Sequence, residues 1–192
     1  MQNKGEEKMV KEEINEILNT NTAREKQETL MKLMPELKFM KGFDHKHPHH
    51  HLDVWEHTML VLDDLKDQCL DVKMAGLLHD VGKPFSFQDE EVRHFHGHPE
   101  ASKKISINIL ERLGYDAGFI RSVAYLVETH DTIIDPKKLD APLSVVKKRL
   151  KLQYADAKAH HPDKIEKRIK FLNDIENNLP EEKVIERGEI EL

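Results

Sequence analysis

The stretch KMAGLLHDVGK, residues 73–83, decides how this chain folds and where its chemistry lies. Its first residues are strongly apolar, so the helix that they form is expected to be buried. The helix ends in His79 and Asp80, with Gly82 just beyond, and its burial brings an imidazole and a carboxylate to the boundary of the core. Ionisable groups at that boundary need partners because they lose hydration. A bound metal ion is the simplest partner for both.

Two side chains elsewhere in the sequence can complete such a site. His57 stands among core-type residues in LDVWEHTMLVL, and Asp156 stands among small and apolar residues in LQYADAKAH. The predicted ligands of one ion are His57, His79, Asp80 and Asp156. Two imidazoles and two carboxylates leave positions on a six-coordinate first-row ion open for water and substrate. A structural zinc site would typically include thiolates, which this set lacks.

The spacing of apolar residues along the rest of the chain is helical. The predicted helices cover residues 8–18, 22–34, 53–68, 71–80, 99–113, 116–129, 142–160 and 163–178. Thr20 or Thr22 can cap the second helix, and Asp53 can cap the third. Residues 84–97 are too irregular for a helix and are predicted to form a loop or a short hairpin. The fold class is therefore an all-α bundle.

Length and composition fit a single domain. The chain has 192 residues, of which 34% are charged, 38% apolar and 6% aromatic, which favours a soluble, helix-rich protein. We expect N-terminal helices at 1–40, a metal-binding core at 41–162, and a C-terminal helix with a solvated tail at 163–192. The only cysteine, Cys69, is predicted to be a small core side chain.

The charge and hydropathy of the chain limit its partners. No apolar run approaches the roughly 20 residues of a membrane-spanning helix, and the start of the chain is charged where a secretory signal would be apolar. We therefore expect a cytoplasmic protein. The net charge of -6 argues against strong binding of duplex nucleic acid, because such surfaces are usually basic. A small anionic substrate is still compatible with this charge, since a bound dication reverses the local field.

The order of these motifs resembles a known family. His57, then HDVGK, then Asp156 resembles the HD superfamily of metal-dependent phosphohydrolases. LDVWEHT followed by HFHGHPEAS is especially similar to the HD domain attached to some CCA-adding tRNA nucleotidyltransferases, and the resemblance spans residues 22–160. The chain shows no polymerase domain ahead of this region, so we expect its activity to belong to the HD unit or to involve a partner chain.

The resemblance implies a compact HD-type helical bundle with a metal site between core helices. It assigns His98 and His130 as ligands of a possible second ion, with Asp80 bridging the two ions. It also implies that Lys83 contacts a phosphate as a point charge, and that Asp80 and Lys83 are the catalytic residues. His96 is a further candidate for substrate contact. The expected cofactor is one or two divalent ions of Mn, Fe, Co, Ni or Mg.

The implied function is hydrolysis of a phosphomonoester or phosphodiester on a small nucleotide-like substrate by metal-activated water. Two other functions are also compatible with the sequence. Some HD-fold proteins use a histidine-rich diiron site for oxygenation, and sequence does not separate that chemistry from hydrolysis. A module that binds nucleotides or RNA without catalysis is the third possibility.

Simpler interpretations exist for several residues. His98 and His130 can cap helices or support other ligands, Lys83 can be a solvated cation at a helix end, and His96 can be a loop residue. His49, His50 and His51 are predicted to lie in an exposed loop rather than a metal cluster, and loops 41–52 and 84–97 are predicted to wall the substrate pocket. The side chains predicted to be solvated are Arg24, Arg93 and Arg121, and those predicted to be in the core are Trp55 and Met59.

Overall fold

The computed structural model describes residues 4–46, 52–88 and 93–181. In those ranges the chain forms nine α-helices and a 3-10 turn at Pro35–Phe39. The helices are α1 (Lys4–Asn19), α2 (Gln27–Leu33), α3 (Val54–Asp64), α4 (Leu70–Leu78), α5 (Lys83–Ser86), α6 (His98–Arg112), α7 (Ala117–Thr129), α8 (Leu143–Lys158) and α9 (Pro162–Asn177). The described ranges contain no extended strand, only two isolated β-bridges. The predicted all-α fold is therefore confirmed.

Local signals explain several of these boundaries. The carboxylate of Asp53 accepts a hydrogen bond of 2.7 Å from the backbone nitrogen of Glu56, so the predicted cap of α3 is confirmed. The predicted threonine cap of α2 is wrong. The Thr20 hydroxyl donates back to the carbonyl of Glu16, which closes α1, and α2 begins only at Gln27.

The prediction that residues 84–97 contain no helix is wrong at the start of the segment, whereas the antiparallel bridge that follows agrees with the predicted short hairpin. Residues Lys83–Ser86 form the short helix α5, and Gln88 then pairs with His94 in an isolated antiparallel bridge. The predicted loop at His49–His51 lies outside the described residues, as does most of the predicted tail. The described helices include none that is both long and apolar enough to cross a lipid bilayer.

Helix α4 is the centre of the bundle. Every residue from Asp71 to Leu78 is buried, and α4 packs against α1, α3, α7 and α8. Because it is surrounded in this way, α4 is apolar throughout residues 74–78, and its two charged residues, Asp71 and Lys73, lie near its N-terminus. Trp55 and Met59 on α3 lie in the same core, as predicted. The prediction for Cys69 is wrong, because this residue precedes the buried helix as its N-cap and is exposed.

Helix α8 lies between this core and a second apolar cluster. Leu152 and Ala155 face the main core, whereas Leu150 and Ala157 pack with Leu172 of α9. Because α8 is covered on both sides, Asp156 in its last turn is buried even though it is charged. The division at residues 40 and 162 stays a prediction.

Gly82 lets α6 approach the turn that carries His79 and Asp80. Its backbone nitrogen donates to the Ser102 hydroxyl at 2.9 Å. A Cβ atom at Gly82 would lie 2.5 Å from the backbone nitrogen of Ser102 and 2.8 Å from the carbonyl oxygen of His98. No side chain therefore fits here without moving α6, the helix that begins with His98.

We expect Gly82→Ala to lower the free energy of unfolding by about 1–3 kcal/mol, because the methyl group meets backbone that must shift. Urea unfolding followed by circular dichroism measures the change. The matched control is Gly118→Ala, whose nearest neighbour is the side-chain oxygen of Asp116 and whose position in α7 tolerates alanine. Equal midpoints for Gly82→Ala and the wild type would contradict the packing described here.

Candidate metal centre

Three helices bring a first ligand group together. His57 comes from α3, His79 directly follows α4, and Asp156 comes from α8. The Nε2 atom of His57 lies 3.0 Å from Oδ1 of Asp156 and 3.4 Å from Nε2 of His79. Two ligands each about 2.1 Å from one ion are roughly 3 Å apart at a right angle. The three buried side chains therefore have the spacing of atoms that share an ion.

A second ligand group lies beside the first. It contains Asp80, His98 at the start of α6, and His130 directly after α7. The Nε2 atoms of His98 and His130 are 3.2 Å apart, and they lie 3.4 and 3.8 Å from Oδ1 of Asp80. The structure thus brings together the residues that the resemblance implies for a second ion.

Asp80 connects the two groups through its two oxygen atoms. While Oδ1 faces His98 and His130, Oδ2 lies 3.3 Å from Nε2 of His79 and 3.7 Å from Nε2 of His57. The side chain is 1% exposed, and neither oxygen accepts a directed hydrogen bond from the described residues. The ammonium of Lys83 lies 2.7 Å from Oδ2, which makes an ion pair without the geometry of a hydrogen bond. Burying a carboxylate that accepts no directed hydrogen bond costs free energy unless nearby cations balance its charge.

The histidines are held by their other ring nitrogen. Each Nδ1 faces a backbone carbonyl oxygen: His57 at 3.2 Å from Ala159, His79 at 2.8 Å from Gly76, His98 at 2.9 Å from Phe95, and His130 at 2.7 Å from Val127. We assign the proton to Nδ1, which then donates to the carbonyl. With a metal ion bound, the Nε2 lone pairs of each group would point at it. Without a cation these lone pairs would repel or Nε2 would take up a proton, so the donor set fits a cation between them.

Helix ends explain why these rings point inward. His79 and His130 are the C-caps of α4 and α7, where the last carbonyl groups lack intrahelical partners. Each ring donates to the carbonyl three residues earlier, and this local bond fixes the ring before any ligand is present. The sequence pattern of an apolar helix that ends in histidine therefore has a direct structural cause.

Two buried carboxylates give the site a fixed negative charge. Burial opposes the ionisation of Asp80, but the neighbouring His79 and Lys83 outweigh it and hold its pKa well below the usual range. Burial is likewise outweighed at Asp156, where His160 and His57 keep the carboxyl pKa well below its usual range. Burial lowers the pKa of His130, so its imidazole is neutral near pH 7 and able to bind a metal.

Lys83 is part of the site rather than a solvated cation. Its side chain is buried, and its ammonium lies 3.4 Å from Nε2 of His45 as well as beside Asp80. Burial is the main cause that lowers the pKa of His45 to about 2, so its ring stays neutral beside the ammonium. The solvated interpretation of Lys83 is wrong because α5 turns this residue back towards the ligands.

A cavity of about 400 Å³ opens beside the two groups. Ligands from both groups line it, together with Lys83 and the predicted contact residue His96. Its other lining residues include Arg93, Asp131, His160 and Arg168. Arg93 is half-buried, with its guanidinium 4.7 Å from the ring centre of Phe43, so its prediction as a solvated side chain is wrong.

Sequence reasoning missed several residues of this cavity. His160 had a usable signal, because it follows Asp156 by four residues and a helix places such positions on one face. Asp131 directly follows His130, and its Oδ2 atom lies 3.4 Å from Nε2 of His98. The sequence around Arg168 contains no pattern that predicts a residue of the site. This residue reaches the site only because α9 packs on α8, which puts its guanidinium 3.5 Å from Oδ2 of Asp156.

The fold and the converging histidines and carboxylates define a class of α-helical metal-binding domains. Within that class, the family described as HD domain matches residues 49–187, and the chain belongs to this family. Membership supports metal-dependent chemistry of the phosphohydrolase type at the level of the superfamily.

The chain is similar to part of several larger enzymes. The chain is 38% identical over 104 residues to an A-adding tRNA nucleotidyltransferase of Deinococcus radiodurans, and 36% identical over 104 residues to a CC-adding tRNA nucleotidyltransferase of Thermus thermophilus. It is 35% identical over 101 residues to a multifunctional CCA protein of Nitrosomonas europaea. Each alignment covers 50% or 51% of this chain and 24% of the relative. The chain therefore matches about a quarter of the length of these relatives.

We expect His98→Ala to remove one ion while the first group keeps the other, because His98 contacts only the Asp80 and His130 side of the centre. Elemental analysis after reconstitution with manganese and desalting measures the stoichiometry. His161→Ala is the control, since this partly exposed histidine lies outside both groups. An unchanged metal content in His98→Ala, with two ions in the wild type, would refute the assignment of the second group.

Proposed function

We propose that this protein is a metal-dependent phosphohydrolase that cleaves a phosphomonoester or phosphodiester of a small nucleotide-like substrate. The observation that carries the proposal is the carboxylate of Asp80 between two groups of inward-facing imidazoles, next to an open cavity. When bound, divalent ions would lower the pKa of a coordinated water and neutralise charge on the phosphoryl oxygens. The proposed ligands are those of the two groups, with Asp80 shared between them.

The charges around the cavity support an anionic substrate. Lys83, Arg93 and Arg168 line it, although the chain as a whole has a net charge of -6. Charged groups act mainly over a Debye length, about 8 Å at physiological ionic strength, so the local cations matter more than the total. The volume lies within the range of sites for small molecules.

Lys83 has two proposed roles that follow from its position. Its ammonium offsets the charge of Asp80 at 2.7 Å, and the same group lines the cavity where a phosphoryl oxygen would enter. His45 accepts a hydrogen bond from this ammonium at 3.4 Å in our assignment, which limits its motion. The lysine is therefore set to contact phosphate without rearranging.

We expect Asp80→Ala to abolish phosphate release and to lower metal content, because it removes both oxygen contacts between the groups. The assay uses nucleoside monophosphates and a bis-aryl phosphate with manganese or cobalt under anaerobic conditions. Circular dichroism checks that the variant is folded. Full activity in a folded Asp80→Ala protein would rule out the proposal.

The same assay separates the two other functions that the residues allow. Imidazoles and carboxylates also suit iron, so oxygen consumption by the iron-loaded protein without anaerobic phosphate release would favour an oxygenase. Tight nucleotide binding with no turnover across the panel would favour a binding module.

We expect Lys83→Met to reduce kcat by about 10²-fold while metal content is retained, because a preorganised charge on the phosphoryl group is lost. Methionine keeps most of the volume of the buried side chain. Lys73→Met is the matched control, since Lys73 is also buried but donates to the carbonyl of Leu18 on α1. Equal kcat values for the two variants would exclude a phosphate contact for Lys83.

A further inference from the structure

A second recess adjoins the metal centre on the side of α9. Its volume is about 310 Å³, and it shares His130, Asp131 and Arg168 with the cavity described above. The two spaces therefore meet at the second ligand group. A molecule held at the metal centre can extend into this recess without leaving the protein surface.

The walls of this recess include large apolar side chains that are exposed. Phe171 of α9 is 46% exposed and Ile133, between α7 and α8, is 70% exposed. Leu172 lines the same recess and is buried against α8. A partly exposed phenylalanine ring presents a flat apolar face, which is the surface on which aromatic bases stack.

The segment that forms one wall is firmly anchored. The side-chain amide of Gln153 donates to the carbonyls of His130 and Thr132 at 2.9 and 2.8 Å. The buried guanidinium of Arg149 also donates to the Thr132 carbonyl and pairs with Asp140 at 3.0 Å. Because these bonds fix the backbone next to Ile133, the recess exists before a ligand enters it.

Charges of both signs stand where the two spaces join, because Asp131 and a cation line both. Arg168 lines both, and Lys167 lines the recess. Since Arg168 belongs to α9, as Phe171 does, one helix carries a cation near the metal centre and an aromatic ring less than one turn further along. This order matches a molecule with an anionic end and an aromatic end.

We propose that the recess binds the base of a nucleoside phosphate, which stacks on Phe171 while the phosphate lies at the metal centre beside Arg168. This inference rests on the proposed function for the position of the phosphate, and it adds the substrate class and the side chains that select it. The substrate is a nucleoside phosphate rather than a phosphorylated sugar or polyol. Its base is selected by stacking, so several bases are accepted.

The test compares the binding of two ligands to the manganese-loaded full chain by calorimetry. One ligand is adenosine monophosphate and the other is ribose 5-phosphate, which lacks the base. We expect the wild type to bind the nucleotide at least about tenfold more tightly, and Phe171→Ala to remove most of that difference. Phe171→Tyr should retain it, because the ring remains.

Two control variants complete the design. Phe39→Ala truncates an exposed phenylalanine that contacts Phe85 and lines neither space, and it should leave both affinities unchanged. Arg168→Gln should weaken both ligands alike, because its partner is the phosphate that they share.

The outcomes distinguish this inference from the proposed function. Equal affinities of the wild type for both ligands, or an equal loss for both in Phe171→Ala, would overturn the base-binding role, as would the absence of nucleotide binding. If binding depends on the base but no phosphate is released, the recess still binds the base and the proposed hydrolase function is wrong.

Discussion

The buried carboxylate of Asp80 imposes the constraint on which the rest of the structure depends. Its two oxygen atoms face two sets of imidazole nitrogens, and the side chain is 1% exposed. No single helix could satisfy such a group, because the groups around it come from α3, α5 and α6 and from the C-terminal ends of α4 and α7. The packing of α3 and α7 on α4, and of α6 on α7, is therefore also the assembly of the site. Any change that separates them alters the spacing of the ligand atoms.

The mode of anchoring shows how a bundle can hold facing imidazoles without a sheet or a disulfide. Each ligand histidine donates through Nδ1 to a backbone carbonyl, and for His79 and His130 this carbonyl belongs to the last turn of the preceding helix. One bond therefore satisfies the helix terminus and orients the ligand. The packing around the rings holds the Nε2 atoms of His98 and His130 3.2 Å apart, although this costs free energy. The site is therefore formed before an ion binds.

The sequence predicted those features that depend on local pattern. The burial of α4 follows from its apolar run at residues 74–78, and the cap at Asp53 follows from a carboxylate directly before a helix. The grouping of His57, His79 and Asp156 could be expected because each stands among core-type residues. Their role as ligands stays a prediction.

Other features depend on contacts between distant segments, and the sequence could not show them. The burial of Lys83 requires the short helix α5, whose four residues carry too little periodicity to be recognised. Arg93 packs on the rings of Phe43 and Phe87, and Phe43 is fifty residues earlier in the chain. The prediction for Cys69 is wrong because this residue lies one position before the helix and caps it, whereas the residues inside the helix are buried. In each case the local sequence is ordinary, and the environment of the side chain depends on how the segment packs.

Helix α9 shows that different helices contribute different features to the candidate site. Leu172 and Ile175 fix it to α8 through an apolar cluster separate from the main core, and the Tyr154 hydroxyl donates to Asn173 at 2.7 Å. These contacts set Arg168 and Phe171 relative to Asp156 without involving the histidine ligands. The core therefore determines the spacing of the ligand atoms, whereas α9 determines what surrounds the open side. Under the proposed function, substitutions on the exposed face of α9 would alter the choice of substrate while the ligand groups keep their geometry.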